Sequence, residues 1–430
     1  MSYVEALQFL YGLQKHGVTL GLERVAALVH RLGHPQNAYR TLHVGGTNGK
    51  GSTAAMAASV LQKAGYRVGL YTSPHLIAFN ERIRVDGEPI PDPKIIELTE
   101  RLRTTVDGQA PTFFEFTTAM AFQHFSDEQI DMAVIEVGMG GRFDATNVIK
   151  PVVSAITNVS LDHQQHLGTT IRAIAYEKAG IIKPGIPIVT GRLHRAAAEV
   201  IESVAREQGS AVFRLDDAFD ICGDSKEAFT YEGLRQSWRD LFCPLPGAHQ
   251  LDNAACALAM LELLDDQDRP IPESAARAGL RDVRWEGRLE VIERRPLVVL
   301  DGAHNAAAGA VVAEYLARRR CQQPRGRRVL VIGMMRDKDA KAFFSEILPV
   351  ADEVVLTRAG LERAATVSEL RSSLGVWEGI VHETASPTEA LSLARRRASP
   401  DDVICVTGSL LLVGEVKALL RGCAVSSLHG

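Results

Sequence analysis

The stretch Thr41–Gly65, TLHVGGTNGKGSTAAMAASVLQKAG, decides how this chain is read. A short β-branched run, TLHV, meets a glycine-rich turn, Gly45–Ser52, and an alanine-rich helical pattern follows. A turn of this kind can surround phosphate groups with backbone N–H donors and the start of a helix. A lysine then adds a point charge, and a Ser or Thr hydroxyl binds Mg²⁺. Lys50 and Ser52 suit those two roles. The strict spacing GxxxxGK[ST] is not met, because Val44 stands where its first glycine belongs and Gly51 separates Lys50 from Ser52. Gly49–Ala54 also fits GxGxxA, the dinucleotide form of the same turn. That form wants an acid about 20 residues on, at the end of the next strand. Tyr71-Thr72-Ser73-Pro74-His75 stands there instead. The third reading is a turn with no ligand, although a lysine between glycines adds little to packing.

Outward from the turn, apolar β-rich runs alternate with helical patterns: RVGLYTS (67–73), DMAVIEVG (131–138), VVSAITNV (152–159) and IPIVTG (186–191). The alternation predicts α/β architecture with a parallel sheet, whose function sits beyond the carboxyl ends of its strands. Ser73, Glu136 and Asp162-His163 all fall at such ends, so four distant segments converge on one edge. Residues 210–250 read as irregular, and PLPGAHQLDNAACALAMLELL (244–264) opens a helix whose alanine spacing predicts close packing. WEGRLEVIERRP (285–296) reads as a linker. PLVVLDGA, RVLVIGMM, ADEVVLTR and DVICVTG then form a second α/β series. The expectation is two domains: residues 1–295, a P-loop ATPase-like parallel sheet carrying the main sites, and residues 296–430, a smaller Rossmann-like unit of about 135 residues.

The totals agree with two cores in 430 residues. A formal charge of -4 gives no general attraction for nucleic acid. Six cysteines without a CxxC pair fit neither a zinc knuckle nor a disulfide framework. The N-terminus lacks a basic leader and no apolar run reaches membrane-spanning length, so the reading is a cytoplasmic protein without a membrane partner.

Several residues carry candidate chemistry, and each has an ordinary reading beside it. Glu136 closes the apolar run DMAVIE, where a carboxylate beside a phosphate loop can hold Mg²⁺; alone it reads as a solvated strand-end acid. His163 and His166 at i, i+3 suggest zinc, but no third zinc-type ligand is identifiable. Asp301-Gly302-Ala303-His304-Asn305 ends a second-domain strand and reads equally well as a helix start with a polar cap. Arg288 and Asn253 are ambiguous singly.

In combination these residues form a recognisable set. GTNGKGS, TSPHL, NERIRV, EVGMGGRFDATN, SLDHQQHLG, EKAGIIK, DGAHN and IGMMRDKD occur together and in order. With them the chain resembles the folylpolyglutamate synthase/dihydrofolate synthase family of the Mur ligase superfamily, from about residue 18 to about 409. The resemblance implies an ATP-dependent ligase that joins L-glutamate to a folate or to dihydropteroate, through an acyl phosphate, with release of ADP and phosphate. It implies Mg²⁺ at two sites.

Carried over by motif, Thr47, Asn48, Gly49, Lys50, Gly51 and Ser52 would bind the ATP phosphates, with Ser52 beside the first metal. Ser73, Glu136 and His163 would hold the second, which makes His163 a Mg²⁺ ligand by resemblance although hard cations prefer oxygen. Asn253, Arg288 and Asp301 match ATP-contacting positions, so the nucleotide would bridge both domains. Lys178 matches a lysine the family carries as a carbamate; otherwise it reads as a solvated helix lysine. The folate walls would be Thr19, Leu20, Gly21 and Leu22 as a lid, Thr112, Phe113, Phe114 and Glu115, and Phe143, Asp144 and Ala145. Arg82, His304 and Ser409 would serve the incoming glutamate and the acyl-phosphate region. Two departures stand out. Ala306 follows DGAHN where many relatives have proline. Thr19 replaces an aspartate of some bifunctional relatives, which bears on dihydropteroate use more than on ligation.

Two other functions compete. A Mur-type peptidoglycan-precursor ligase needs a nucleotide-sugar domain before the loop, and only 44 residues precede Gly45. A non-ligating P-loop ATP-binding protein has no use for Glu136, His163 and a second domain supplying Asp301. The family also implies a monomer acting on small molecules.

Overall fold

Residue Val44 of the central strand pairs with Glu136 on one side and Ala155 on the other, so three strand ends finish level with the glycine turn. These ends belong to the first sheet of the computed structural model, which describes residues 1–16, 21–106, 110–224, 228–264, 269–322 and 325–422. Among the described residues this sheet has eight strands, in the order Glu88–Pro89, Ile83–Val85, Val68–Tyr71, Met132–Glu136, Arg40–Gly45, Val153–Ile156, Ile188–Thr190 and Val212–Arg214. The first two are antiparallel additions at one edge, and the other six run parallel. The chain leaves the central strand toward Val68–Tyr71, returns through Met132–Glu136, and continues on the other side at Val153–Ile156. That reversal opens a crevice at the carboxyl ends, where α/β folds bind ligands.

The helix Lys50–Lys63 follows the turn and is buried along Gly51–Ala58. Its small residues let neighbouring helices approach. A Cβ on Gly279, in the helix Glu273–Asp282, would fall 2.5 Å from the Val60 Cα. The alanine-rich helix His249–Glu262 packs there too, as its spacing predicts. The opposite face of the sheet is covered by the helices Tyr3–Gly12, Glu23–Arg31, Asp92–Thr105 and Phe113–Asp127.

Residues 210–250 are more ordered than the sequence suggests. The strands Asp220–Gly223, Phe229–Glu232 and Ser237–Leu241 form a small antiparallel sheet whose Phe229, Tyr231, Trp238 and Leu241 join the first core. The Glu262 carboxylate fastens its hairpin, accepting from the Tyr231 hydroxyl at 3.0 Å and the Gln236 N–H at 2.8 Å.

The second sheet runs Glu290–Arg294, Leu297–Leu300, Val403–Thr407, Arg328–Ile332, Glu353–Leu356 and Ile380–Glu383 among the described residues. Four of these are the expected runs. WEGRLEVIERRP is not a linker: Glu290–Arg294 pairs antiparallel with Leu297–Leu300, and the buried Lys417 holds Glu290 and, at 3.1 Å, Glu286. The second unit therefore starts ahead of Glu290, and the 295/296 division falls inside a hairpin. We expect Gly279→Ala to cost about 1–3 kcal/mol in a denaturant melt, because the contact it crowds is backbone. A loss under about 0.5 kcal/mol would mean the helix pair can separate freely.

Candidate functional site

The glycine turn is pressed onto the segment Thr157–Ser160 by hydrogen bonds that leave no space for side chains. Thr47 N–H donates to the Asn158 carbonyl at 2.9 Å, Asn48 N–H to the Asn158 side chain at 3.0 Å, and the Thr157 hydroxyl to the Asn48 carbonyl at 2.6 Å. Gly46, at φ +135°, would put a Cβ 2.0 Å from the Thr157 hydroxyl, and Gly49, at φ +85°, would put one 2.3 Å from Asn253. Gly51 serves a different contact. Its Cβ would lie 2.8 Å from the Trp285 ring, so this glycine admits an indole from the segment between the two sheets. The sequence reading assigned it to phosphate approach and had no role for Trp285.

Charged groups gather around the turn. The Lys50 ammonium donates to the Thr47 carbonyl at 3.0 Å, and burial holds it below its ordinary pKa against the pull of Glu136 and Asp162. Glu136 is buried and accepts from the Ser73 N–H at 3.1 Å; burial raises its carboxyl, with Lys50 opposing. Ser52 is buried beside them. Lys178, only 4% exposed, donates to the Gly46 carbonyl at 2.8 Å, and burial lowers its pKa to about 7. Burial lowers His163 to about 4, which leaves it neutral and able to act as a ligand. His166 is exposed.

The second domain closes over this edge. Asp301 accepts from Leu289 N–H and Ala303 N–H, both at 2.8 Å, which fixes the loop bearing Arg288. His304 Nδ1 lies 2.8 Å from the Gly302 carbonyl; that oxygen can only accept, so Nδ1 is the donor and Nε2 faces Asp162 at 3.5 Å. Asn305 bonds to Asp162 and to Asn48, each at 3.0 Å. Lys338 reaches Asp162 at 2.6 Å. Burial alone would raise Asp162, but His304, His163 and Lys338 hold it well below the ordinary carboxylate range. Asp162, Asn305 and Lys338 lay inside quoted motifs, yet nothing in spacing marked them as the contact between domains.

Two cavities result. One, of about 430 Å³, is lined by Thr47–Ser52, Glu136, Lys178, Asn253, Arg288 and Asp301. The other, of about 560 Å³, is lined by Gly21, Thr112–Glu115, Phe143–Ala145, Arg82 and Ser409, and also by Lys338 and Arg363, which the sequence reading did not include. Ser73, His163 and His304 line both, so the cavities meet there. Leu22 is not among the lining residues, and Thr19 and Leu20 lie outside the described residues.

Within the second cavity the aromatic and acidic residues divide. Phe113 stacks on Tyr11 at 5.5 Å and lies under the Arg82 guanidinium at 5.1 Å, while Phe143 is 43% exposed at the mouth. Arg82 is buried and donates to His75 at 2.8 Å. Glu115 and Asp144 are already engaged: Arg24 lies 3.1 Å from both Glu115 oxygens, whereas Asp144 accepts from Met139 N–H at 2.8 Å and Thr146 N–H at 3.0 Å. Each carboxylate shapes the wall before it can meet a ligand. Ser409 likewise caps the helix Leu410–Arg421.

The donors at the junction suit a hard divalent cation. Among the described residues no group of three or more His, Cys, Asp or Glu forms a ready-made metal cage. One buried carboxylate, two serines and one neutral imidazole leave positions for phosphate oxygens and water, the habit of Mg²⁺.

Comparison with known proteins agrees with this architecture. Residues 44–261 match the Mur ligase middle domain, and residues 287–410 match the Mur ligase glutamate ligase domain. The dihydrofolate synthase/folylpolyglutamate synthase of Bacillus subtilis is 35% identical over 98% of this chain and 99% of its own. A Mycobacterium tuberculosis folylpolyglutamate synthase complexed with ADP and AMPPCP superposes with a TM-score of 0.90 at 33% identity, covering 99% of this chain and 100% of that one. The bifunctional Yersinia pestis enzyme complexed with AMPPNP and a Mn ion gives 0.88 at 31% identity, covering 98% of each chain.

The Gly51–Trp285 contact generates a test. Gly51→Ala should displace the indole, changing tryptophan fluorescence, and should weaken ADP binding about tenfold by calorimetry, equivalent to about 1.4 kcal/mol. Unchanged fluorescence and affinity would show that the indole does not restrain the turn.

Proposed function

The chain belongs to the folylpolyglutamate synthase/dihydrofolate synthase family of Mur ligases, ATP-dependent enzymes that attach glutamate to folates, and we propose how its residues divide that work. The meeting of the two cavities at Ser73, His163 and His304 carries this reading, because a ligase of this kind must bring a phosphoryl donor and an acyl acceptor to one point. ATP occupies the cavity of the glycine turn, and the folate enters the aromatic cavity.

A folate carboxylate resists attack by an amine because it would have to expel oxide. Its oxygen first attacks the γ-phosphorus of ATP. The bond to the β-phosphate oxygen breaks, and ADP departs. Lys50 and the N–H groups of the turn hold the phosphates and offset the charge that develops. Ser52, Ser73, Glu136 and His163 would hold Mg²⁺, which neutralises phosphate charge when bound. The glutamate amine then attacks the acyl carbon and inorganic phosphate leaves with its bond to that carbon broken. In its neutral form His304 presents an unprotonated Nε2 beside Asp162 at the junction, from where it can take the proton the amine gives up. Arg82 is buried, donates to His75 and lies over the Phe113 ring, and its guanidinium suits a glutamate carboxylate. The closed domains exclude water from the acyl phosphate.

Lys178 fits the carbamate reading. An amine lowered to about 7 is about half unprotonated at neutral pH, and only the free amine adds to CO₂. We read the protein as a cytoplasmic monomer whose partners are small molecules; among the described residues no helix is long and apolar enough to cross a membrane.

With Mg²⁺-ATP and L-glutamate, phosphate release should require a folate acceptor. Tetrahydrofolate and dihydropteroate assayed in parallel decide whether one activity or both are present. Lys50→Ala should lower turnover at least 10²-fold. Phosphate release without acceptor and glutamate, or wild-type turnover in Lys50→Ala, would refute this assignment. In ¹³C-bicarbonate the protein should show a lysine carbamate resonance that Lys178→Met abolishes; its persistence in that variant would place the carbamate elsewhere.

A further inference from the structure

One lysine of the second domain reaches His163 at the candidate metal site. Lys338 follows the strand Arg328–Ile332, and its side chain is 8% exposed. Its ammonium lies 2.6 Å from Asp162 Oδ1 and 3.3 Å from His163 Nε2. An ammonium has only donors, so His163 Nε2 must be the acceptor, with its lone pair aimed at Lys338.

An imidazole nitrogen has one lone pair. Directed at a lysine, it cannot also bind a metal. A divalent ion at that nitrogen would stand where the ammonium now stands, and the two cations would repel one another. Asp162 contacts both partners, since it also accepts from the His163 N–H at 2.8 Å. Other interdomain contacts, Asn305 to Asp162 and to Asn48 and His304 to Asp162, do not involve Lys338 and can persist without it. The displaced side chain has somewhere to go, because Lys338 lines the 560 Å³ cavity.

We propose that Lys338 is an interdomain latch that stands in for the divalent cation at His163, and that metal binding there drives its ammonium out of the junction into the acceptor cavity. The latch holds the two domains together before the metal arrives. It also delays metal loading, since a cation must first displace the lysine. This inference rests on the reading of His163 as a metal ligand.

Mn²⁺ serves as the probe, titrated by electron paramagnetic resonance into the full chain without nucleotide. Lys338→Met should bind Mn²⁺ about tenfold more tightly than the wild type, because a competitor has been removed. Lys338→Gln, which keeps hydrogen-bonding capacity, should move in the same direction. A more negative site could tighten binding by charge alone, so lysine accessibility is measured as well. Reductive methylation read by mass spectrometry should find Lys338 protected in the metal-free wild type and labelled once Mn²⁺ is bound. Protection that persists with Mn²⁺ bound, or equal affinity in wild type and both variants, including no binding in any, overturns the latch. His163→Ala separates the two readings. If it binds Mn²⁺ like the wild type, His163 is not a ligand and both fall; if it binds more weakly while the Lys338 variants are unchanged, only the latch falls.

Discussion

The glycine turn lies so close to Thr157–Ser160 that Gly46 has no room for a Cβ, and the rest of the site depends on that approach. The parallel register makes it possible: Val44 is level with Glu136 and Ala155, so the three strands deliver their following loops to one place. One loop brings Lys50, the second brings Glu136 itself, and the third brings Asp162 and His163. A side chain at Gly46 would push the first loop from the third. Lys50 and Glu136 are then neighbours by construction, and each moves the other's protonation equilibrium.

That convergence places charge where water is scarce. Burial disfavours the charged forms of Lys50, Lys178 and Glu136 alike; the attraction between Lys50 and Glu136 only partly offsets it, and Lys50 pushes Lys178 down further. A site assembled this way is strained in charge until substrate phosphates and a metal complete it, and the electrostatic preorganisation that catalysis needs is obtained at some cost in stability. The second domain contributes through contacts as well as charge. Asn305 and Lys338 join Asp162, Trp285 meets Gly51, and Lys417 anchors the segment from Glu286 to Glu290 to the helix Leu410–Arg421. The position of the second sheet is thereby felt at the phosphate turn.

Much of this was legible beforehand, and the failures have common causes. Buried parallel strands such as DMAVIE and RVLVI are continuous apolar runs, so they stand out from sequence. Glu290–Arg294 is half-exposed and charged at both ends, and it passed for a linker because its partner strand, not its composition, makes it a strand. The sheet formed by residues 220–241 was hidden for the same reason, with short strands broken by polar turns. Phe113 and Arg82 share a cavity wall, although the motifs assigned them to different substrates. Glu115 and Asp144 reach that wall too, but a capping interaction and an arginine 91 positions away had already claimed the first, and a backbone turn the second.

By itself the sequence determined the parallel α/β architecture, the glycine turn and the ordered motifs that define the ligase family, because strand apolarity, backbone freedom and ligand chemistry are local properties of residue type. Tertiary structure decided which of those residues meet. Only the folded chain shows that Gly51 makes room for Trp285, that Asp162 is shared across both domains, and that Ser73, His163 and His304 stand at the junction of two cavities. Those facts depend on distances between segments that are far apart in chain order, such as the 143 residues separating Asp162 from Asn305, and no local pattern encodes such a distance.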